Sequence, residues 1–283
     1  VRLRVPGSAF VGGVVLCGAA MPVPGRLAGQ SRFFPAVPSF EMPLASPRAT
    51  AITGRLIKAT RGDSRFGAGR EAEVAIGEDF PVLALRRGPR PISLGFGTVV
   101  YGRFSLDDKR SSLISNDWTV GINTAVNLGA WDLIFQVYHE SSHLGDEYRD
   151  TFNATRLDWT REVGVGWLSY STARWRFMTG LSYVLIDGLD LRRPGISGAV
   201  DYRGRTFHII GQPALPIAGV FLDSYAGTDW KPSTSTKFGL AFPGIRSGRE
   251  LRLSFITHGG LSTQRQFFRE RSRYFGLELQ FNL

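Results

Sequence analysis

The stretch WDLIFQVYHESS, residues 131–142, decides between an extended and a helical fold. Apolar side chains occupy every second position at its start, namely Trp131, Leu133, Phe135 and Val137. A period of two is typical of a β-strand with two different faces, whereas an amphipathic helix repeats every three to four residues. Gly145 follows soon after and disfavours a helix. We therefore predict that residues 131–141 form a strand.

The same alternation recurs along most of the chain, and no segment shows a sustained helical period. The sequence also contains 34 glycines, which are common where strands turn or bend. About twelve candidate strands can be counted. They lie near 50–60, 71–85, 92–105, 116–128, 130–141, 153–170, 173–187, 200–212, 215–227, 234–243, 249–259 and 273–283.

The connections between these strands alternate in length. They are tight at 128–130, 170–173 and 212–215, and long at 106–115, 142–152, 187–199 and 259–272. Short periplasmic turns and longer outer loops are typical of an outer-membrane barrel. The last strand, RYFGLELQFNL at 273–283, resembles the carboxy-terminal strand that such barrels present to their assembly machinery. The resemblance implies that machinery as a partner.

The predicted fold is therefore an all-β, antiparallel transmembrane barrel of about twelve strands. Closing the sheet pairs every backbone amide, which a membrane requires. Three tryptophans, Trp131, Trp167 and Trp175, are expected near the periplasmic strand ends on the apolar face, where an aromatic belt lies. A soluble β-sandwich would also show alternation, but it gives no reason for this placement.

The amino-terminal residues indicate export. Arg2 and Arg4 precede a short uncharged core, so residues 1–29 are predicted to be a cleaved signal peptide, and the lone Cys17 falls inside it. Residues 30–49 are rich in proline and are expected to form a periplasmic lead-in, with the barrel over 50–283. The formal charge of +10 suits anionic lipid, and no nucleic-acid motif is present. We expect the protein in the bacterial outer membrane, in contact with its lipids.

Strand parity brings three polar residues to one place. His139 and Ser141 share the parity of Phe135 and Val137, so they are expected to face lipid at the outer end of their strand. On the returning strand, predicted from 153, Asn153 was assigned the same side and height. Polar groups that face lipid are costly to keep, which makes them candidates for a functional site.

This spacing resembles that of the outer-membrane phospholipase A and the outer-membrane lipid A deacylase. Both carry His-x-Ser on one strand and an Asn or Glu fourteen residues after the His. The resemblance implies that Ser141 is a nucleophile, His139 its base and Asn153 the group that orients the imidazole, with a lipid acyl ester as substrate. The longer string HESSHLGDEY is similar to the bacterial family known as domain of unknown function 1207. The alternative is a non-enzymatic barrel, either structural or pore-forming.

Other interpretations of the same residues concern metals and the barrel interior. His139, Glu140 and His143 match a zinc-peptidase motif, which requires a helix. Calcium could bind a loop cluster formed by Asp146, Glu147 and Asp150. An inward, lumen-lining position is predicted for Arg156, Asp158, Glu162, Arg174 and Arg176.

Overall fold

The computed structural model describes residues 32–35, 40–61, 69–87, 90–191, 193–244 and 249–282. The predicted signal peptide lies outside these residues. The barrel strands are β1 (Ile52–Arg61), β2 (Arg70–Arg87), β3 (Arg90–Ser105), β4 (Leu113–Asn127), β5 (Trp131–Leu144), β6 (Trp159–Ser171), β7 (Trp175–Asp187), β8 (Pro194–Arg203), β9 (Gln212–Tyr225), β10 (Ser233–Pro243), β11 (Glu250–Leu261) and β12 (Arg271–Asn282).

Shorter elements complete the described chain. They are the helix α1 (Asp146–Phe152), the 3-10 helices Ala226–Thr228 and Arg265–Phe267, and the short strands Arg32–Phe33 and Phe207–Ile209. No helix in the described ranges is long and apolar enough to cross a membrane.

The sheet closes on itself. Each barrel strand pairs antiparallel with the next along the chain, and β12 pairs with β1 from Phe281 opposite Ile52 to Arg273 opposite Arg61. Closure leaves no strand edge, so the backbone groups of the wall are paired with one another. The prediction of a closed antiparallel barrel with about twelve strands is confirmed.

The two faces of the wall differ in chemistry as the alternation predicts. In β12, Leu277 is 56% exposed on the outside, while the adjacent Glu278 is 1% exposed inside. Glu278 is paired there with Arg55 at 2.6 Å and Lys237 at 2.5 Å. Here the outer face of the wall is therefore apolar, and the inward charge is paired in the interior.

Strand β6 breaks the parity that the sequence predicts. The odd-numbered residues Trp159, Val163, Val165 and Trp167 are expected to face lipid from their alternation. Trp159, Val163 and Trp167 are instead 3–5% exposed and point inward, and Val165 packs against the interior cluster. The outward positions include Gly164 and Gly166, which carry no hydrophobic signal, so the inward tryptophans dominated the pattern. Their indoles are satisfied inside, because Trp159 donates to Glu140 at 3.0 Å and Trp167 to Gln136 at 3.2 Å.

Aromatic pairs mark the rim at which short turns connect the strands, the rim predicted to face the periplasm. The tilted rings of Trp131 and Tyr170 have centroids 4.7 Å apart, and those of Trp175 and Tyr202 have centroids 4.8 Å apart. Both tryptophans are about half exposed, at 44% and 46%. The predicted belt is therefore present at Trp131 and Trp175, and the inclusion of Trp167 was wrong.

Residues 40–49 enter the lumen instead of extending away from the barrel. Leu44 and Ala45 are each 3% exposed, and the Leu44 N–H donates to the inward carboxylate of Asp201 at 3.1 Å. Ala45 packs in a cluster with Trp167 and Phe221. This corrects the predicted lead-in over 30–49 for its described part. A short apolar pair between prolines has no periodicity by which the sequence could reveal its burial.

A second segment closes the lumen from the outer end. Phe267 and Phe268, in the connection between β11 and β12, are each 6% exposed. Arg48 joins the two segments, since it donates to Thr263 O at 3.0 Å, to Asp117 at 2.6 Å and to Glu140 at 3.2 Å. The interior is thus crossed by side chains from both ends.

Candidate functional site

Strand β5 carries the candidate site on its outer face. Phe135 and Val137 are 55% and 46% exposed, and His139 and Ser141 follow on the same side, while Glu140 and Ser142 are buried inside. The prediction that residues 131–141 form a strand is confirmed, because β5 is extended through Leu144. His139 and Ser141 are therefore neighbours on one face, with Cα atoms roughly 6.7 Å apart.

The imidazole of His139 contacts a carboxylate on the adjacent strand. Glu162 of β6 lies directly opposite His139, and its Oε1 is 3.0 Å from His139 Nδ1. The two side chains are 40% and 33% exposed, so the pair sits at the surface of the barrel wall. Glu162 had been assigned to the lumen, and this assignment was wrong for the same reason as the parity of β6. Arg176, by contrast, does face inward and contacts Asp201 at 2.6 Å.

Asn153 is not part of a strand. It caps the carboxyl end of α1 with φ 47° and ψ 44°, and its backbone N–H donates to Arg149 O. Asparagine tolerates this left-handed conformation better than most residues. Among the described residues, its side chain makes no hydrogen bond to His139. The prediction that the returning strand begins at 153 is corrected, since β6 begins at Trp159.

The outer surroundings of Ser141 combine aromatic and polar groups. Ser141 lies opposite Trp118 of β4 and Thr160 of β6. The next outward residue of β5 is His143, whose Nδ1 contacts the guanidinium of Arg156. Arg156 and Asp158 are exposed in the connection before β6, and Arg174 is exposed in the turn before β7, so none of the three lines the lumen.

The height of the pair follows from strand geometry. His139 is eight residues beyond Trp131 of the periplasmic aromatic rim. Eight residues span about 26 Å along a strand, which is about 20 Å along the barrel axis at the usual tilt. The apolar band of such barrels is about 25 Å tall. His139 and Ser141 therefore lie close to its outer edge.

The inward neighbour of the pair is fixed by an ionic cluster. The Glu140 carboxylate accepts hydrogen bonds from Arg48, Trp159 and Arg265, the last at 2.9 Å. Burial alone would lower the pKa of the Arg265 guanidinium, but attraction to the Glu140 carboxylate outweighs it and the pKa is raised. Arg265 thus stays charged inside the barrel.

The metal interpretations find little support in this geometry. On a strand the Cα atoms of His139 and His143 are about 13 Å apart, and the motif glutamate, Glu140, faces the lumen. Asp146 and Asp150 contact Arg149 at 3.1 Å and 2.9 Å on the surface of α1, which also carries Glu147. No group of three or more His, Cys, Asp or Glu side chains in the described ranges could hold a metal ion.

Solved structures of known proteins are similar to this chain at low sequence identity. The outer membrane phospholipase A from Escherichia coli is 12% identical, with 84% of this chain and 93% of that chain covered and a TM-score of 0.57. The KdgM porin is 11% identical over 82% and 99%, with a TM-score of 0.45. LpxR from Salmonella typhimurium is 10% identical over 83% and 100%, with a TM-score of 0.40.

The TM-score exceeds 0.5 only for the phospholipase among these three, and at 12% identity that likeness concerns the fold alone. No curated protein matches the chain. A family model does match, and it covers residues 20–283, the whole of the barrel included. The chain belongs to the family described as protein of unknown function (DUF1207).

Proposed function

We propose that this protein is a bacterial outer-membrane hydrolase of lipid acyl esters, with Ser141 as nucleophile, His139 as base and Glu162 as the orienting group. One observation carries the proposal. The imidazole of His139 contacts a carboxylate at 3.0 Å on the outer face that also carries Ser141. Glu162 takes the role that the sequence had assigned to Asn153.

The reaction follows from the roles of these three groups. Glu162 accepts the Nδ1–H of His139, which leaves Nε2 as the base that takes the Ser141 proton. The Ser141 oxygen attacks the ester carbonyl carbon. The C–O bond to the lipid alcohol then breaks, His139 gives the proton to the departing alcohol, and the acyl group stays on Ser141. A water molecule, deprotonated by the same imidazole, then releases the fatty acid and restores the serine hydroxyl.

The position on the wall supports a lipid substrate. The three side chains are on the outer surface, flanked by the exposed apolar residues Val137 and Trp118. They lie near the outer edge of the apolar band, which is the level at which the ester groups of outer-leaflet lipids meet hydrocarbon. A soluble ester would gain nothing from this location, whereas a membrane lipid reaches it by lateral diffusion.

Export and assembly complete the proposal. A signal peptide over 1–29 would direct the chain across the inner membrane, and the apolar, regularly alternating β12 would be the strand that the barrel assembly machinery recognises. These steps are proposed from the sequence pattern and from the fold that the chain shares with outer-membrane barrels.

The alternative is a barrel without enzymatic activity. An open pore is disfavoured by the groups that cross the lumen, since Arg48 bridges Asp117 and Glu140 and contacts the outer connection at Thr263. A structural barrel is the stronger form of this alternative. It is supported by hydrogen bonds across the outer rim, where the Gln266 side chain donates to the backbone carbonyls of Ser142 and Leu157.

Hydrolysis by refolded protein separates the two. We expect detergent-solubilised phospholipid or lipopolysaccharide to release fatty acid with the wild type, and Ser141→Ala to abolish release. Ser142→Ala is the matched control, because its hydroxyl faces the lumen and donates to Asp117. The heat-dependent gel shift of the barrel reports folding for each variant. If neither the wild type nor Ser141→Ala releases fatty acid, with calcium or with chelator, the proposed hydrolase activity is wrong.

A further inference from the structure

The outer face of β6 has a depression directly below Glu162. The outward positions that follow Glu162 are Gly164 and Gly166, and a side chain next appears at Leu168, which is 38% exposed. A Cβ atom added at Gly164 would meet no heavy atom closer than 3.9 Å. At Gly166 the nearest atoms would be those of the Phe135 ring, at 3.7 Å. The wall is therefore recessed along this strand.

Bulky side chains border the recess on both sides. In the sheet register Gly164 lies between Val137 and Tyr183, and Gly166 lies between Phe135 and Leu181. These four side chains are 46–66% exposed and stand out from the wall.

The recess widens toward β8. At Gly164 the recess meets a second groove, which runs over β7 and β8 and is lined by Gly164, Leu181, Tyr183, Ile196 and the loop residue Trp230; the last two are each 47% exposed. The feature is thus a groove with aliphatic and aromatic walls.

We infer that this groove binds one acyl chain of the lipid whose ester is cleaved at Ser141, an inference that rests on the proposed function. The groove lies on the surface that meets membrane hydrocarbon, so an acyl chain is the chemistry available to fill it. It begins one outward position below Glu162, the partner of His139. A chain that descends from an ester at Ser141 therefore enters it directly.

The part of this surface that runs down β6, the recess over Gly164 and Gly166, has a length that fits such a chain. From Glu162 to Leu168 the strand advances about 20 Å, which is about 15 Å along the membrane normal at the usual tilt. One leaflet contributes half of a hydrocarbon core about 30 Å thick. The recess along β6 and a membrane acyl chain thus span about the same depth, and Leu168 closes the lower end of the recess.

Filling the groove should change the preference for chain length. Gly164→Val places a branched side chain that strands accommodate well into an open, lipid-facing position. Gly54→Val is the matched control, since Gly54 is also exposed and outward, with nothing within 4 Å of its Cβ position, but belongs to β1. The substrates are p-nitrophenyl butyrate and p-nitrophenyl palmitate in detergent micelles.

We expect Gly164→Val to lower kcat/KM for the palmitate about tenfold to thirtyfold, because the valine displaces about two methylene groups of the acyl chain from the wall. The value for the butyrate should not change. Gly54→Val should leave both values unchanged. If Ser141-dependent hydrolysis persists but Gly164→Val leaves the ratio of kcat/KM for the two esters unaltered, the groove does not bind the acyl chain, and the proposed hydrolase activity is still supported. If neither ester shows Ser141-dependent hydrolysis, both ideas fail. Should Gly164→Val lose the heat-dependent gel shift, Gly164→Ala carries the same test with a smaller expected effect.

Discussion

Removing the carboxylate beside His139 is the most direct test of the site. In the proposed reaction the imidazole becomes positively charged in the transition state, 3.0 Å from Glu162 Oε1. Two unit charges at that distance attract by about 1.4 kcal/mol in bulk water and by about 5.5 kcal/mol at the effective dielectric constant of 20 that suits a protein surface. His139 is 40% and Glu162 33% exposed, so solvent screens the pair in part, and its attraction is expected to lie between these limits.

The range of this attraction gives the expected loss of kcat/KM when the carboxylate is removed. Each 1.36 kcal/mol of lost transition-state stabilisation costs a factor of ten, so Glu162→Ala should lower kcat/KM by about tenfold to ten-thousandfold, with roughly a hundredfold to a thousandfold expected. Glu162→Gln keeps an oxygen that can accept the Nδ1–H and should lie between Glu162→Ala and the wild type. Asn153→Ala should change kcat/KM by less than about twofold, because Asn153 caps α1 and is not bonded to the imidazole.

The assay is fatty-acid release from phospholipid micelles at saturating and limiting substrate, with the heat-dependent gel shift as the folding control. The predicted order of activity is wild type, Glu162→Gln, Glu162→Ala and then Ser141→Ala. The reverse result, in which Asn153→Ala is as damaging as Ser141→Ala while Glu162→Ala is fully active, would rule out Glu162 as the orienting group. It would return the orienting role to the residue first assigned from the sequence.

Two further predictions concern the lumen and the loop helix. Arg48→Met leaves the carboxylates of Asp117 and Glu140 without one partner inside the barrel, and the loss of one member of a buried pair costs about 3–5 kcal/mol. Urea unfolding in detergent, followed by tryptophan fluorescence, should show that loss, and an unchanged midpoint would contradict the lumenal role of Arg48. Asp146→Asn should leave fatty-acid release unaltered in its response to calcium and to chelator, because this carboxylate contacts Arg149 at 3.1 Å. A calcium response lost in the variant alone would show that the acidic residues of the helix bind the ion.

The fold was predictable because two independent signals agreed. Alternation identified strands with two faces, and the alternation of short and long connections identified the barrel. Where one face of a strand is strongly apolar and the other polar, as in β12 with Leu277 and Glu278, the sequence assigns the orientation correctly. Strand β6 defeated the same rule because its outer face carries glycines and its inner face carries Trp159 and Trp167. Inward aromatic residues fill a narrow lumen and imitate a lipid-facing pattern.

The site could be predicted only in part, because the long connection between β5 and β6 hides which residues of the two strands pair. His139 and Ser141 share a face through strand parity alone, which the sequence contains. Their partner depends on the register between β5 and β6, and fourteen residues, including α1, separate the two strands. A tight turn fixes register, but a connection of this length leaves it open. The parity predicted for β6 also placed Glu162 in the lumen, so its pairing with His139 became known only from the register of the two strands.

The interior and the outer site are connected through a single residue. Glu140 stands between His139 and Ser141 in β5, and its side chain accepts hydrogen bonds from Arg48, Arg265 and Trp159 on the lumenal side. A nucleophile and its base must be held within a fraction of an ångström, and a rigid strand does this better than a loop. An outward histidine and glutamate would be a cost to a purely structural barrel, since nothing in the packing of the wall requires them. The hydrogen bonds of Glu140 on the lumenal side hold in place the backbone from which His139 and Ser141 project.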